Sequence, residues 1–139
     1  MHETTFRVRY GDTDRMGVVY YGTYLDYFTV GRTEWMRHHQ VPYREAFEEQ
    51  GLVMPVHRVE CRYLAPLLFD DLITVETAIG ELSRTRLRFG YRILGPDQQL
   101  RADGLTEHAF WDQLHKAPVN LAKHRPDLWR LLEDVAGKG

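Results

Sequence analysis

Apolar and polar positions alternate along much of this chain. Phe6, Val8 and Tyr10 alternate with Thr5, Arg7 and Arg9, and Val59, Cys61 and Tyr63 with Arg58, Glu60 and Arg62. Ile73, Val75, Thr77 and Ile79 alternate with Thr74, Glu76 and Ala78, and Leu87, Phe89, Tyr91 and Ile93 with Arg86, Arg88, Gly90 and Arg92. Successive side chains of an extended strand point to opposite faces, so each stretch predicts a strand with one apolar and one polar face. A fifth strand is expected from Leu100 to Trp111, where the alternation is mixed. Sheets covered on one side are typically antiparallel. Gly95-Pro96-Asp97 predicts a short hairpin, Gly80-Glu81-Leu82-Ser83 a bend between the third and fourth strands, and Pro66 with Asp70-Asp71 the entry to the third. Such short connections favour a meander.

The period changes between Tyr21 and His39. Tyr21, Tyr24, Leu25, Phe28, Trp35 and Met36 fall at helical spacing, with Tyr20, Tyr27 and Val30 on the other side. A helix apolar around most of its girth is expected to be enclosed. Gly31 in its middle costs ~1 kcal/mol against alanine and predicts the close approach of a strand. A short helix is expected from Pro42 to Gln50, closed by Gly51, and an amphipathic one from Pro126 to Val135 through Leu128, Trp129, Leu131 and Leu132. The order is that of an α+β fold, with about five antiparallel strands curled around one long central helix.

Composition narrows the class. The chain has 139 residues, 43% hydrophobic and 27% charged, with a formal net charge of -2. These values predict one globular domain over 1–139, and the run of strands and helices puts its core at about 5–111 and a C-terminal helical extension at about 117–136. Near-neutral charge argues against a nucleic-acid or membrane-surface partner. No apolar run approaches the ~20 residues of a membrane span, and Met1-His2-Glu3-Thr4-Thr5 lacks the order of a signal peptide. Cys61 is the single cysteine, so no internal disulfide forms and a cytoplasmic location is expected.

The segment from Tyr10 to Tyr24 stands apart. Asp12 and Asp14, three glycines and four tyrosines lie between the first strand and the long helix. Glycines permit tight turns, and free N–H groups at a helix N-terminus can hold an anion or stabilise an oxyanion. Either aspartate can equally be a turn former or a cap, and the tyrosines can be core. Other chemistries find less support. His38, His39 and His57 with one cysteine lack metal-ligand spacing, the glycines lack a phosphate-loop lysine, and Ser83 is the only serine. No metal or cofactor is expected. Arg84, Arg86, Arg88 and Arg92 on one strand, with Arg58 and Arg62 on another, could pair with Glu60, Glu76 and Glu107 or meet phosphate.

The run Tyr10-Gly11-Asp12-Thr13-Asp14, continued by Gly17-Val18-Val19-Tyr20-Tyr21 and Tyr24, resembles the signature of the 4-hydroxybenzoyl-CoA thioesterase family, particularly its YbgC-like acyl-CoA thioesterases. The resemblance continues through Gly31-Arg32-Thr33-Glu34, Val59-Glu60-Cys61-Arg62-Tyr63-Leu64-Ala65-Pro66 and Asp70-Asp71. It implies a hotdog fold and hydrolysis of acyl-CoA. It further implies Asp14 as the catalytic aspartate and Asp12 as a structural partner of the loop. The backbone amides of Tyr20 and Tyr21 would polarise the thioester carbonyl, and Gly17, Val18, Val19 and Tyr24 would line the substrate site. A homodimer or homotetramer (a dimer of dimers) is implied as well. Glu34 is expected to be structural, paired with Arg32 or Arg37. A non-catalytic acyl-CoA-binding module and an acyl-thioester hydratase or dehydratase remain as competing readings.

Overall fold

In the computed structural model, which describes residues 1–137, five strands form one antiparallel sheet in the order β1-β4-β5-β6-β3. They are β1 (His2–Arg7), β3 (Val56–Tyr63), β4 (Leu72–Leu82), β5 (Arg86–Leu94) and β6 (Leu100–Ala109). Three two-residue strands, β2 (Leu52–Val53), β7 (Trp111–Asp112) and β8 (Ala117–Pro118), make a second small sheet that the alternation did not reveal. Helix α1 (Thr23–His38) packs on the inner face of the larger sheet, and α2 (Leu121–His124) and α3 (Pro126–Gly137) follow β8. No helix among the described residues is long and apolar enough to cross a membrane.

The inner face is the one that periodicity selects. Ile73 and Val75 of β4 and Leu87, Phe89, Tyr91 and Ile93 of β5 are buried against α1. Phe28 stacks on Tyr91 at 4.3 Å, and Trp35 meets Phe89 edge-on at 5.2 Å. Between those two contacts Gly31 lies against β4. A Cβ there would sit 2.5 Å from Thr77 Oγ1 and 2.7 Å from Val75 Cγ1. Both neighbours are stiff β-branched side chains, so overpacking outweighs the ~1 kcal/mol that alanine gains in helix propensity. Gly31→Ala is therefore expected to lower stability by about 1–2 kcal/mol, read as a lower urea midpoint at unchanged slope.

Several expectations are corrected. The first strand ends at Arg7, and Tyr10–Asp12 form a 3₁₀ turn that leaves Tyr10 exposed. The long helix starts at Thr23, so Tyr20 and Tyr21 precede it. Its outer side, with Leu25 and Val30, is exposed rather than enclosed, because the sheet covers one face only. The expected helix at 42–50 is a π turn, Tyr43–Phe47, followed by a 3₁₀ turn, Glu48–Gln50, and Gly51 closes it at φ +74°. The bend at Gly80 is a bulge within β4, and the chain turns at Ser83, whose Oγ accepts from Arg86 N. Finally, only β4, β5 and β6 form a meander. Because β4 pairs with β1, β3 takes the far edge beside β6, and residues 64–71 carry the chain back across the sheet.

On the outer face the arginines pair with carboxylates. Arg58 and Arg88 reach Glu107, Arg92 reaches Glu76 and Arg62 reaches Asp103. Two charged rows thus flank a trough at Ala78, Gly90 and Leu105. Arg84 and Arg86 have no carboxylate partner among the described residues. Glu34 pairs with Arg37.

Candidate active site

The segment before α1 is folded by its own aspartates. Asp12 is buried, and its Oδ2 accepts from Arg9 N at 3.0 Å and from the Tyr27 hydroxyl at 2.9 Å. Burial and that bond push the Tyr27 phenol far above its usual pKa, so Tyr27 stays a donor. The Asp12 carbonyl accepts from Tyr20 N at 2.9 Å. One residue therefore ties β1, the loop and α1 together, and its carboxylate is fully engaged.

Asp14 is placed differently. It is half-buried, and Oδ1 accepts from Met16 N at 2.8 Å, which closes a turn around its own backbone. The turn is completed by Asp14 N donating to Val18 O at 2.9 Å and Gly17 N to Asp14 O at 3.0 Å. Gly17 sits at φ +81°, a conformation that glycine adopts without steric cost. Val18 and Val19 then bridge to the chain returning from β3, with Val19 N donating to Leu67 O at 2.8 Å. The crossover that places β3 at the far edge thus forms one wall of the site.

These segments enclose a pocket of about 370 Å³ lined by Asp14, Met16, Val18, Val19, Tyr21 and Tyr24 on one side and Tyr63, Leu64, Ala65 and Pro66 on the other. Of the residues expected at the site, Asp14, Val18, Val19, Tyr21 and Tyr24 share this pocket. Gly17 shapes the turn without lining it, and Tyr20 is absent from its wall. Tyr63 is the residue that local sequence reading did not single out for the site: its hydroxyl donates to Tyr21 O at 2.8 Å across 42 positions of sequence. No short-range pattern carries such a contact. A larger groove, about 800 Å³, lies over the outer face around Gly90 and Leu105, away from Asp14.

Of the two backbone amides, that of Tyr20 departs from the expectation. Tyr20 N–H is taken by Asp12 O, so it is not open to a ligand. Among the described residues no acceptor takes Tyr21 N–H. The Tyr20 carbonyl, in the same peptide unit as that N–H, accepts from Thr23 N at 2.9 Å. Cys61, on the inner face of β3, is half-buried, and burial pushes its thiol pKa up, which disfavours the reactive thiolate. Among the described residues no three His, Cys, Asp or Glu side chains converge as metal ligands.

Comparison with known proteins fits this arrangement. Residues 8–128 match the model of the thioesterase-like superfamily. The acyl-CoA thioester hydrolase YbgC of Escherichia coli O157:H7 is 34% identical over 127 residues, which cover 88% of this chain and 94% of that one. A 1,4-dihydroxy-2-naphthoyl-CoA hydrolase of Thermosynechococcus vestitus is 25% identical over 119 residues, 86% of this chain and 82% of that one. The structure of the DHNA-CoA thioesterase of Staphylococcus aureus superposes with a TM-score of 0.92 at 27% identity, covering 97% of this chain and 90% of that one. The chain belongs to the thioesterase-like superfamily and has its hotdog fold.

Proposed function

We propose that this protein hydrolyses acyl-CoA thioesters to the free acid and CoA, with Asp14 as the nucleophile or general base. The observation that carries the reading is the pocket that gathers Asp14, Tyr21 and an apolar wall of Val18, Val19, Tyr24 and Leu64. The names of the relatives support the same reaction class.

Thioester hydrolysis suits so small a set of groups. The leaving thiol, with a pKa of ~8.5, departs as thiolate without a dedicated general acid. What remains is to attack the carbonyl and to stabilise its oxygen as charge develops. Asp14 Oδ1 is held by Met16 N, which fixes the direction of the carboxylate. Tyr21 N–H supplies the carbonyl contact. Tyr20 does not share that role, because its N–H already serves Asp12. Val18, Val19 and Tyr24 hold the acyl group.

The active species is a homodimer or a dimer of dimers. Edge strand β3 leaves Val56, Val59 and Tyr63 exposed, with Tyr63 lining the pocket, a surface that a second copy would cover. Light scattering is expected to give two or four chains per particle. The single thiol is consistent with work in the cytoplasm.

The test is a panel of acetyl-, hexanoyl-, palmitoyl-, benzoyl- and 1,4-dihydroxy-2-naphthoyl-CoA with free-thiol detection. Release of CoA from at least one supports the proposal. Binding without release would make the protein an acyl-CoA-binding module, and water addition or loss with CoA still attached would make it a hydratase or dehydratase; either overturns it.

A further inference from the structure

We infer that the outer face of the large sheet docks a second copy of this chain across a two-fold axis running between β5 and β6, with Gly90 receiving the partner's Leu105. This gives the proposed dimer of dimers its second interface, and it is independent of the chemistry at Asp14.

Gly90 is the residue that asks for an occupant. It lies in the middle of β5, the central strand, on the outer face between Ala78 and Leu105. Glycine weakens the interior of a strand and tends to mark a place where another backbone or a ligand comes close. Nothing among the described residues accounts for it. A Cβ at Gly90 meets no atom within 4 Å, whereas one at Gly31 or Gly104 collides with the chain. The trough over Gly90 measures about 800 Å³.

The charges around the trough select the occupant. Strand register lines up the outward residues of β4, β5, β6 and β3 in three rows: Glu76-Arg92-Asp103-Arg62, Ala78-Gly90-Leu105-Glu60 and Glu81-Arg88-Glu107-Arg58. Signs alternate along both charged rows. Two such sheets stacked ~10 Å apart about an axis parallel to the strands, between β5 and β6, set β5 over the partner's β6 and β4 over the partner's β3. Arg92 then meets the partner's Asp103, and Glu76 the partner's Arg62. Arg88 meets the partner's Glu107, and Glu81 the partner's Arg58. In the middle row Gly90 meets the partner's Leu105, a hole against a knob.

Other axes fail. An axis on β5 sets Arg88 and Arg92 each against its own copy. An axis along the trough sets Arg92 against the partner's Arg88 and Asp103 against the partner's Glu107. An axis between β4 and β5 sets Glu3, which lies beside Glu76 on β1, against the partner's Asp103. It also leaves Ala78 facing the partner's Gly90, two small residues across a gap. Like charges in contact are costly and opposite ones fix register, so the axis between β5 and β6 is selected. Arg92 keeps Glu76 at 2.8 Å, Arg88 keeps Glu107 at 2.6 Å and Arg62 keeps Asp103 at 2.6 Å within one chain, so docking buries no unpaired charge there. The open edge of β3 stays free for the other interface.

Light scattering of four proteins tests the arrangement. Wild type is expected to give four chains per particle. Gly90→Leu fills the hole, meets nothing in its own chain, and is expected to give two chains that still unfold cooperatively. Gly90→Leu/Leu105→Ala exchanges knob and hole and is expected to return to four. Ala78→Glu sets a carboxylate against the partner's Glu60 and is expected to give two, which tests the same face by charge instead of volume. A two-chain wild type that Gly90→Leu splits into monomers would keep this interface and discard the one at β3. A monomeric wild type, unchanged particle size in either folded single variant, or a double variant that stays at half size overturns the inference. CoA release is read separately, so a negative substrate panel removes the proposed reaction without touching this interface.

Discussion

Asp14→Asn is expected to abolish at least about 99% of acyl-CoA hydrolysis, a loss of 100-fold or more in kcat, while the fold and CoA binding persist. General-base catalysis by a positioned side chain contributes roughly 10²–10⁴-fold, and the loss of a covalent nucleophile costs no less. Asparagine preserves the local structure for a definite reason: Met16 N needs an acceptor at Oδ1, and an amide oxygen supplies one. The turn closed by Asp14 N, Val18 O and Gly17 N does not involve the side chain at all. Kinetics therefore report chemistry rather than unfolding, and a melting temperature within ~2 °C of wild type checks this. Asp12→Asn offers the opposite pattern. Asp12 binds Arg9 N and the Tyr27 hydroxyl, so its loss strains the loop and lowers stability along with activity. Rapid-quench mass spectrometry of the wild-type enzyme then separates the two roles of Asp14. A nucleophile leaves the acyl mass on the residue during a single turnover, and a general base leaves none. Undiminished hydrolysis by Asp14→Asn would discard both.

Much of this architecture is legible in the chain because local pattern and sheet position agree. The inner residues of β5 alternate without a break, and all of them are buried. Gly31 announces the close approach of β4 because little else explains glycine in the middle of an apolar helix. The pattern misleads where pairing is decided far away. Tyr10 continues the alternation of Phe6 and Val8, yet β1 pairs with β4 only from His2 opposite Thr77 to Arg7 opposite Leu72. Beyond Arg7 the carboxylate of Asp12 pulls the backbone into a turn. Val59, Cys61 and Tyr63 do share one face, but β3 lies at the edge, where α1 covers that face only in part: Cys61 is half-buried and Tyr63 meets Tyr24 of α1, yet Val59 and Tyr63 stay exposed.

The candidate site divides in the same way. Asp14, Gly17 and the valines form a contiguous motif, so sequence shows them together. Tyr63 comes to the site through the crossover of β3, which no short-range spacing encodes. The occupied N–H of Tyr20 is equally invisible, because it depends on the fold of a carbonyl eight residues earlier.

The mixed alternation of β6 conceals a buried polar chain, from which a large pH effect on stability is expected. His108 is 1% exposed, and its Nδ1 lies 3.0 Å from the Met54 carbonyl, an acceptor only. Nδ1 must therefore carry the proton and donate, which leaves Nε2 to accept from Thr106 Oγ1 at 2.8 Å. Thr106 in turn accepts from the Tyr91 hydroxyl at 2.6 Å, and Tyr91 accepts from Arg32 Nη1 at 3.4 Å. Every proton in the chain runs one way. A second proton on His108 would turn Nε2 into a donor, reverse Thr106, and leave Tyr91 O–H facing the Arg32 cation. Burial, with the nearby charges of Arg32 and His57, accordingly lowers the His108 pKa to about 4 from 6.5. The unfolded chain takes up this proton at about pH 6.5 and the folded chain only near pH 4, so the unfolded state binds more protons in between. Stability contributed by neutral His108 is complete above pH 6.5, falls as pH drops towards 4, and changes no further below that. The loss amounts to about 3 kcal/mol. Carboxylates whose pKa values are held down by ion pairs, such as Glu107 with Arg88 and Asp127 with Arg125, lose stability in a lower window, below pH ~4.5. Urea unfolding between pH 4.5 and 7.5 stays above the carboxylate window, and comparison with a His108 variant separates His108 from His2, whose pKa burial also lowers. His108→Asn is expected to start less stable at pH 7.5 and to show a much flatter slope across that range. Equal slopes in the two proteins would show that His108 is not the group that links acid to unfolding.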